Sequence, residues 1–518
     1  QAIEFSYAGV PSGRTTRGLR PMGSPDVVVL DAGHYLALLE ANHIVVDQMR
    51  RREMIQQQIA ALAQEVGGII PDDDALLAEV TNLVESPMAL RGSFEPAFLE
   101  LPQEVLITVM RKHQRYFPIV DPQTGKMMPY FIAVRNGDAE HLDIVRTGNE
   151  EVLRARYSDA KFFYKEDTQR PLEDFLPRLK TLTFQEKLGS VYDKVGRLEA
   201  LVPRLAAALG VSEADLRIAA RATHLSKADL GTQMVVELTA LQGVMGREYA
   251  LLSGEDPAVA QAIFEHYLPR FAGDGVPSST VGILIALADR FDSLLGLFAV
   301  GLAPSSAADP YGLRRAALGV VQTLVENRIA LSLTEAVGLA RDLLPVNVEP
   351  TVIDDVVTFI AGRLRGWLRE QGYRYDTVEA VLAARGDNPY LASQAVAALE
   401  GWVARPDWLD ILNSYGRCYR IVREYKDRFS IDPAGFSEGS TRQLYDSYVT
   451  CQAQIEPGGS IDGFFEAFLP MVKPINTFFD DVLVMDPDMA VRQNRLGLLQ
   501  RIAALADGLV DLTQMEGF

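Results

Sequence analysis

At 518 residues, with 50 Lys plus Arg against 69 Asp plus Glu and a net charge of −19, the chain is too long for a single core and too acidic for general adhesion to nucleic acid or an anionic membrane. Several domains are expected, and any contact with a polyanion must be local. Cys418 and Cys451, with no CxxC or Cys/His spacing, exclude a disulfide framework and a zinc site and fit core thiols in a reducing compartment; the longest apolar run, "VGILIALA" at 281–288, is far short of the roughly 20 residues that cross a bilayer.

The chain opens "QAIEFSYAGV" in strand-like alternation, without Met or a signal-like segment, so a fragment or processed product is expected. Residues 31–66 carry helical periodicity with Asp31 as N-cap, and "PDDDALLAEV" at 71–80 reads as an acidic linker. In 101–138, Pro102 opens a helix that Arg111, Lys112 and His113 close at its negative end, and "YFPIVD" and "MMPYFIAV" flank "PQTGK" as a hairpin. From 184 to 333 nearly everything is apolar-periodic helix, followed by a helical stretch over 351–402 that leads into 404–429, and a compact helical tail from 475. A mainly α multidomain chain is expected: a mixed α+β module over 1–180, a helical domain over 181–335, a helical linker region over 336–400 and a helical bundle over 401–518.

The run "THLSKADLGTQM" at 223–234 is similar to the signature of the HD metal-dependent phosphohydrolases, in which a His-Asp pair on one helix joins a His from a preceding helix and a distal Asp around a metal that activates water. Aligned to that pattern, Asp193 stands in the first His position, Ala228 replaces the paired His, Asp229 survives and Asp289 fits the distal Asp. Both imidazoles are gone, and His224, four residues before Ala228, does not substitute without moving the metal. A metal-dependent phosphohydrolase is therefore the alternative reading. The favoured one is a degenerate HD-type domain holding no metal, with Asp229 as a helix cap and Gly231 at a tight turn.

Two basic stretches carry interleaved aromatics, "RKHQRYF" with Arg111, Lys112 and Arg115 and "RARYSDAKFFYK" with Arg154 and Arg156, and in "YGRCYRIVREYK" Arg417, Arg420, Arg423 and Lys426 recur every third residue as a basic ridge. Arginines beside stacking rings suit RNA backbone and unstacked bases, and each stretch equally suits a solvated helix face. In "DPYGLRRAALGV", Asp309 and Pro310 read as a helix start, with Arg314 and Arg315 in its first turns. No phosphate-cradling Gly loop is present, so an ATP-dependent reaction needs another chain or segment.

Taken together, "LPQEVLITVMRKHQRYFPIVD", "GNEEVLRARYSDAKFFYKED", "FQEKLGSVYDKVGRLEAL", "SKADLGTQMVVELTALQGVMGREYA", "DPYGLRRAALGV" and "FFDDVLVMDPDMAVRQNRLGLLQRI" resemble the β subunit of bacterial-type glycyl-tRNA synthetase nearly end to end. The resemblance implies a noncatalytic, tRNA-recognising subunit that works with an α subunit carrying the class II site for ATP, Mg and glycine. It implies N-terminal tRNA-binding modules, a degenerate HD domain and a C-terminal anticodon-binding bundle, with no cofactor on this chain. It makes Arg111, Lys112, Arg115, Arg154, Arg156, Arg417, Arg420 and Arg423 the candidate tRNA contacts. The family's β subunit extends upstream of Gln1, so the N-terminal module is expected to be incomplete. Expected partners are tRNA(Gly) and the α subunit, as an α2β2 assembly or an α–β fusion with no membrane, in cytoplasm or, as for plastid versions, stroma.

Overall fold

The computed structural model describes residues 3–306, 308–456 and 458–518. It shows a mainly α multidomain chain with a mixed N-terminal region and a C-terminal helical bundle. Packing divides it into two units: residues up to Phe175 together with Ala228–Glu255, and Leu176–Lys227 together with Asp256–Phe518. The expected 181–335 segment thus contributes residues to both.

In the first unit the hairpin forms as expected and is widened by a strand the periodicity left unassigned. Met127–Asn136 lies between Pro87–Ser93 and Phe117–Val120, all antiparallel, with Leu90 opposite Ala133 and Phe117 opposite Ile132. Side chains alternate across this sheet. Ile132, Phe117, Ile119 and Ala89 pack with Ile55, Ile59 and Ala63 of the helix Gln48–Gln64 and Leu76, Leu77 and Val80 of the helix Asp74–Leu83. Phe131 stacks instead on Tyr116, with ring centroids 4.7 Å apart, and lies against Gly92 so closely that a Cβ there would stand 2.4 Å from its ring.

Two expectations change here. The segment read as an acidic linker is a helix, because Asp73 accepts from Leu76 N at 2.9 Å as its N-cap and Leu76, Leu77 and Val80 present one apolar face. The 31–66 stretch is not continuous: Asp31 caps only the short turn Ala32–His34 leading into Tyr35–Ala41, His43 takes a positive φ of 64°, and Asp47 caps Gln48–Gln64 anew. Pro102 stands at the N-cap of Gln103–Thr108, and the basic turn Val109–Gln114 follows.

The 26-residue helix Leu142–Asp167 buries Leu153, Tyr157 and Ala160, and Tyr157 donates to Leu106 O at 3.2 Å. At its end the buried Asp167 accepts from Gln233 N and Met234 N at 2.9 Å each and from Tyr249 Oη at 3.1 Å. That carboxylate joins the late segment Ala228–Glu255 to the first unit.

The second unit is built around the helix Thr280–Ala299, whose run of buried residues includes the apolar stretch noted above. Among the described residues no helix is long and apolar enough to cross a membrane. Val191–Leu209, Glu213–Leu225, Pro257–Glu265 and Leu313–Glu326 pack around it. Leu313–Glu326 starts later than expected: Gly312 is its N-cap at a φ of 66°, Pro310 lies outside it, and Asp309 reaches forward to accept from Leu313 N at 2.8 Å and Arg314 N at 2.9 Å. Further on, Phe464, Phe465, Phe468 and Phe478 fill the bundle core with Trp408 and Tyr415. Cys418 and Cys451 are buried there, each thiol pushed up to about 12 by loss of solvent, which makes them inert core groups.

Candidate nucleic-acid interface

The helix Trp408–Val422 buries Trp408, Ile411, Leu412, Tyr415, Cys418 and Val422 at helical spacing, which turns Arg417 and Arg420 away from the core and leaves Arg423 at the C-cap. The three arginines are not equivalent. Arg417 lies over the Phe479 ring at 4.5 Å, donates to Asn476 Oδ1 at 3.1 Å and stands 3.6 Å from Asp480, so its guanidinium is committed to the neighbouring helix Val472–Asp481. Arg420 is exposed and folds back over Gly416, where a Cβ would approach its Nη1 to 2.8 Å; its guanidinium lies 5.4 Å from the Phe518 ring centroid. Arg423 is exposed, and among the described residues neither Arg420 nor Arg423 has an ion-pair partner.

Beyond Arg423 the chain turns into a cleft lined by Arg423, Lys426, Arg428 and Arg501, with Asp507 as the carboxylate among them and Tyr419, Tyr425 and Phe429 as rings. Tyr425 and Phe429 meet edge to face at 5.6 Å. Gln500 of the helix Met489–Ala503 pins the loop by accepting from Phe429 N at 3.0 Å and donating to Asp427 O at 2.8 Å. Asn494 repeats the device at Asp432, accepting and donating at 2.8 Å. Backbone bonds therefore hold the loop while its cations stay available. Partial burial raises the Asp507 carboxyl above its ordinary range, and Arg428 opposes the shift. Arginines beside rings on a held backbone are what splayed bases and their phosphates require. Arg428 and Phe429 lie just past the basic ridge read from the sequence, and Arg501, 78 positions after Arg423, is brought to it only by helix packing.

The candidates of the first unit divide in the same way. Arg111 pairs with Asp73 at 2.8 Å, Arg115 with Glu79 at 2.8 Å, and Arg154 with Glu95 at 3.1 Å and Glu151 at 2.6 Å. These three fasten neighbouring elements. Lys112 and Arg156 are exposed and make no ion pair among the described residues.

The four positions aligned to the HD pattern do not assemble a ligand set. Asp193 is exposed and closes a capping box with Ser190, accepting from Ser190 N at 2.8 Å and Oγ at 2.7 Å, bonds that hold its pKa below the ordinary value. Ala228 is buried in the turn Ala228–Gly231. Asp229 accepts from Gly243 N at 2.5 Å, at the start of the helix Val244–Leu252, whereas Thr232 caps Gln233–Glu237. The helix-capping role expected of Asp229 is not found: its carboxylate holds the backbone of Gly243, the N-cap residue of Val244–Leu252, while Thr232 does the capping nearby. His224 stands 2.7 Å from Glu199 through Nδ1. Among the described residues no group of three His, Cys, Asp or Glu side chains is placed to hold a metal.

Asp289 is held by cations instead. Lys227 Nζ donates to Asp289 Oδ2 at 3.0 Å and to His266 Nε2 at 2.8 Å, and lies 4.2 Å from the Tyr267 ring centroid. Lys194 Nζ stands 3.0 Å from Asp289 Oδ1 and donates to Asp292 Oδ2 at 2.9 Å, Ser293 Oγ at 2.8 Å and Asp289 O at 3.2 Å. Arg197 clasps Asp292 through Nε at 2.6 Å and Nη2 at 3.1 Å. His266 Nδ1 is 2.6 Å from Ile263 O, which makes Nδ1 the donor and leaves Nε2 to accept from Lys227. Burial, then the Lys227 charge, holds this imidazole well below its usual pKa and hence neutral. Burial raises the Asp289 carboxyl, but Lys194 and Lys227 outweigh it, and the net shift is strongly downward. Lys194 directly follows Asp193 and Lys227 directly precedes Ala228, so the signal lay one residue from the positions read.

A family model described as "Glycyl-tRNA synthetase beta subunit" matches residues 1–383. Over 99% of its length the chain is 42% identical to the glycine–tRNA ligase β subunit of Desulforudis audaxviator, of which it covers 75%. Over 99% it is 40% identical to that of Moorella thermoacetica, again covering 75%, and over 100% it is 41% identical to chloroplastic/mitochondrial glycine–tRNA ligase 2 of Arabidopsis thaliana, covering 48%. The cleft around Arg423 lies beyond the family-model match but inside these pairwise alignments.

Proposed function

Since the chain belongs to the glycyl-tRNA synthetase β-subunit family, we propose that it is the tRNA-recognising part of the ligase and that its C-terminal cleft receives unstacked bases and backbone of tRNA(Gly). Its role is in glycyl-tRNA synthesis. Aminoacylation itself, with ATP, Mg and glycine, belongs to an α subunit, joined as α2β2 or as an α–β fusion in cytoplasm or plastid stroma. The observation that carries the RNA reading is the cleft: on a chain of net charge −19, Arg423, Lys426, Arg428 and Arg501 converge beside Tyr419, Tyr425 and Phe429. Residues 401–518 are then an anticodon-binding bundle and 181–335 a degenerate HD domain, with 1–180 supplying further RNA contacts through Lys112 and Arg156. The phosphohydrolase alternative is not retained, because Asp193 is spent on a helix cap and Asp289 on two lysines.

Two measurements test this. Glycylation of tRNA(Gly) is expected only when an α partner is added, and robust ATP-dependent charging by the chain alone defeats the reading. Binding of tRNA(Gly) to the chain, followed by gel shift, is expected to weaken in Arg423→Ala and Arg501→Ala with folding intact; unchanged affinity in both places the interface elsewhere.

A further inference from the structure

The carboxylate of Asp289 carries an ammonium on each oxygen, and both ammoniums are buried: the Lys194 and Lys227 side chains are 5% and 6% exposed. A divalent ion bound at such a carboxylate would supply two positive charges at its oxygens and would take imidazole nitrogen as a further ligand. Here two lysines supply the charges, and the Nε2 lone pair of His266, the one left for a ligand, is taken by an N–H of Lys227. A cation entering at Asp289 would meet two ammoniums at hydrogen-bond distance, with no unspent nitrogen to bind.

We propose that Lys194 and Lys227 are a built-in replacement for a divalent cation, holding the helical core of the second unit together without a metal. Lys194 rises from Val191–Leu209, Lys227 follows Glu213–Leu225, His266 follows Pro257–Glu265, and Asp289 and Asp292 sit on Thr280–Ala299, so one network fastens four helices. Asp292 and Arg197 complete it: the second carboxylate takes the remaining Lys194 charge and is clasped from its other side. Breaking such a network on one side leaves a buried charge uncompensated, whereas removing both members of a pair does not. The core is therefore committed to its lysines, and metal has no role in its stability. The inference stands on the geometry of these helices and is independent of the RNA reading.

The test is thermal unfolding of the full chain, with and without chelator and with added Mn²⁺, Zn²⁺ or Mg²⁺, in wild type, Lys227→Met, Asp289→Asn and the double variant. Wild-type Tm is expected to stay put in every condition. Lys227→Met is expected to lower it by on the order of 5–10 °C, and the double variant is expected to lose less than the sum of the two single losses. A saturable rise in wild-type Tm with a divalent ion that disappears in Asp289→Asn overturns the proposal, as do single losses that simply add. Should Lys227→Met not fold, Lys227→Arg, which keeps the charge, is expected to fold and retain most of the Tm, and the wild-type metal titration decides by itself.

Discussion

Arg417, Arg420 and Arg423 look alike in sequence, and their surroundings assign them different work. Arg417 is spent on Phe479, Asn476 and Asp480, so Arg417→Ala is expected to cost stability, about 0.5–1 kcal/mol from the lost cation–π contact, with little change in the salt dependence of tRNA binding. Arg423→Ala is expected to leave unfolding unchanged and Arg420→Ala to cost at most about 0.5–1 kcal/mol through its contact with Phe518, and each is expected to flatten the plot of log affinity against log salt by about one unit if it neutralises a phosphate. Salt slopes unchanged from wild type in all three variants would show the ridge to be a solvated face. His266 is informative for a different reason. It faces Lys227, Asp289, Arg290 and the Tyr267 ring, and its folded pKa is depressed. Between that value and about 6.5, the ordinary imidazole pKa, the unfolded chain binds the proton that the folded chain refuses. Stability therefore rises with pH across this window, is flat above it, and is lost as pH falls below about 6.5. Urea unfolding between about pH 5 and pH 8 is expected to show that slope in wild type and a shallower one in His266→Gln.

Helix ends account for most of the acidic residues that looked functional. Asp193 and Ser190 close a capping box, Asp73 begins a helix where the sequence suggested a linker, and Asp229 serves the start of Val244–Leu252. Asp167 is the strongest case. Its buried carboxylate accepts two backbone N–H groups of 233–234 and the Tyr249 hydroxyl, tying a segment 60 and more residues later to the helix Leu142–Asp167. Asp167→Ala strands two buried donors, Met234 N and Tyr249 Oη, and the half-buried Gln233 N, and is expected to cost about 3 kcal/mol, with early hydrogen exchange across 228–255. Ser190→Ala is expected to cost about 1 kcal/mol as an ordinary lost cap, and a far larger loss would mean that Asp193 does more than cap. The same geometry bears on restoring an HD site. Ala228→His adds one imidazole while Asp193 remains a cap and Asp289 remains held by lysines, so metal-dependent nucleotide hydrolysis is not expected in that variant.

For the whole molecule, a net charge of −19 means that long-range attraction of tRNA is absent over most of the surface, and binding rests on a few cations. With Arg423, Lys426, Arg428 and Arg501 in one cleft and Arg420 beside it, the salt slope contributed by these cations is expected to be no steeper than about −5. Filter binding from low to moderate salt checks this; a much steeper slope would require a second extended basic surface.

The family, the helical character of most of the chain, the 117–136 hairpin, the core placement of both cysteines and the replacement of both imidazoles of the HD pattern, by Asp193 and Ala228, were legible in the sequence. All of these depend on residue identity at short spacing, where periodicity and ordered motifs act. Only the tertiary structure decided which arginines are spent and which remain available, because Asp73, Glu79, Glu95 and Asp480 lie in other elements than the arginines they neutralise. Only the structure gathered Arg423 and Arg501 across 78 positions, and Lys194, Lys227 and Asp289 across 95. An electrostatic partner is chosen by distance in space, and once the chain has folded that distance is set by helix packing rather than by separation along the sequence.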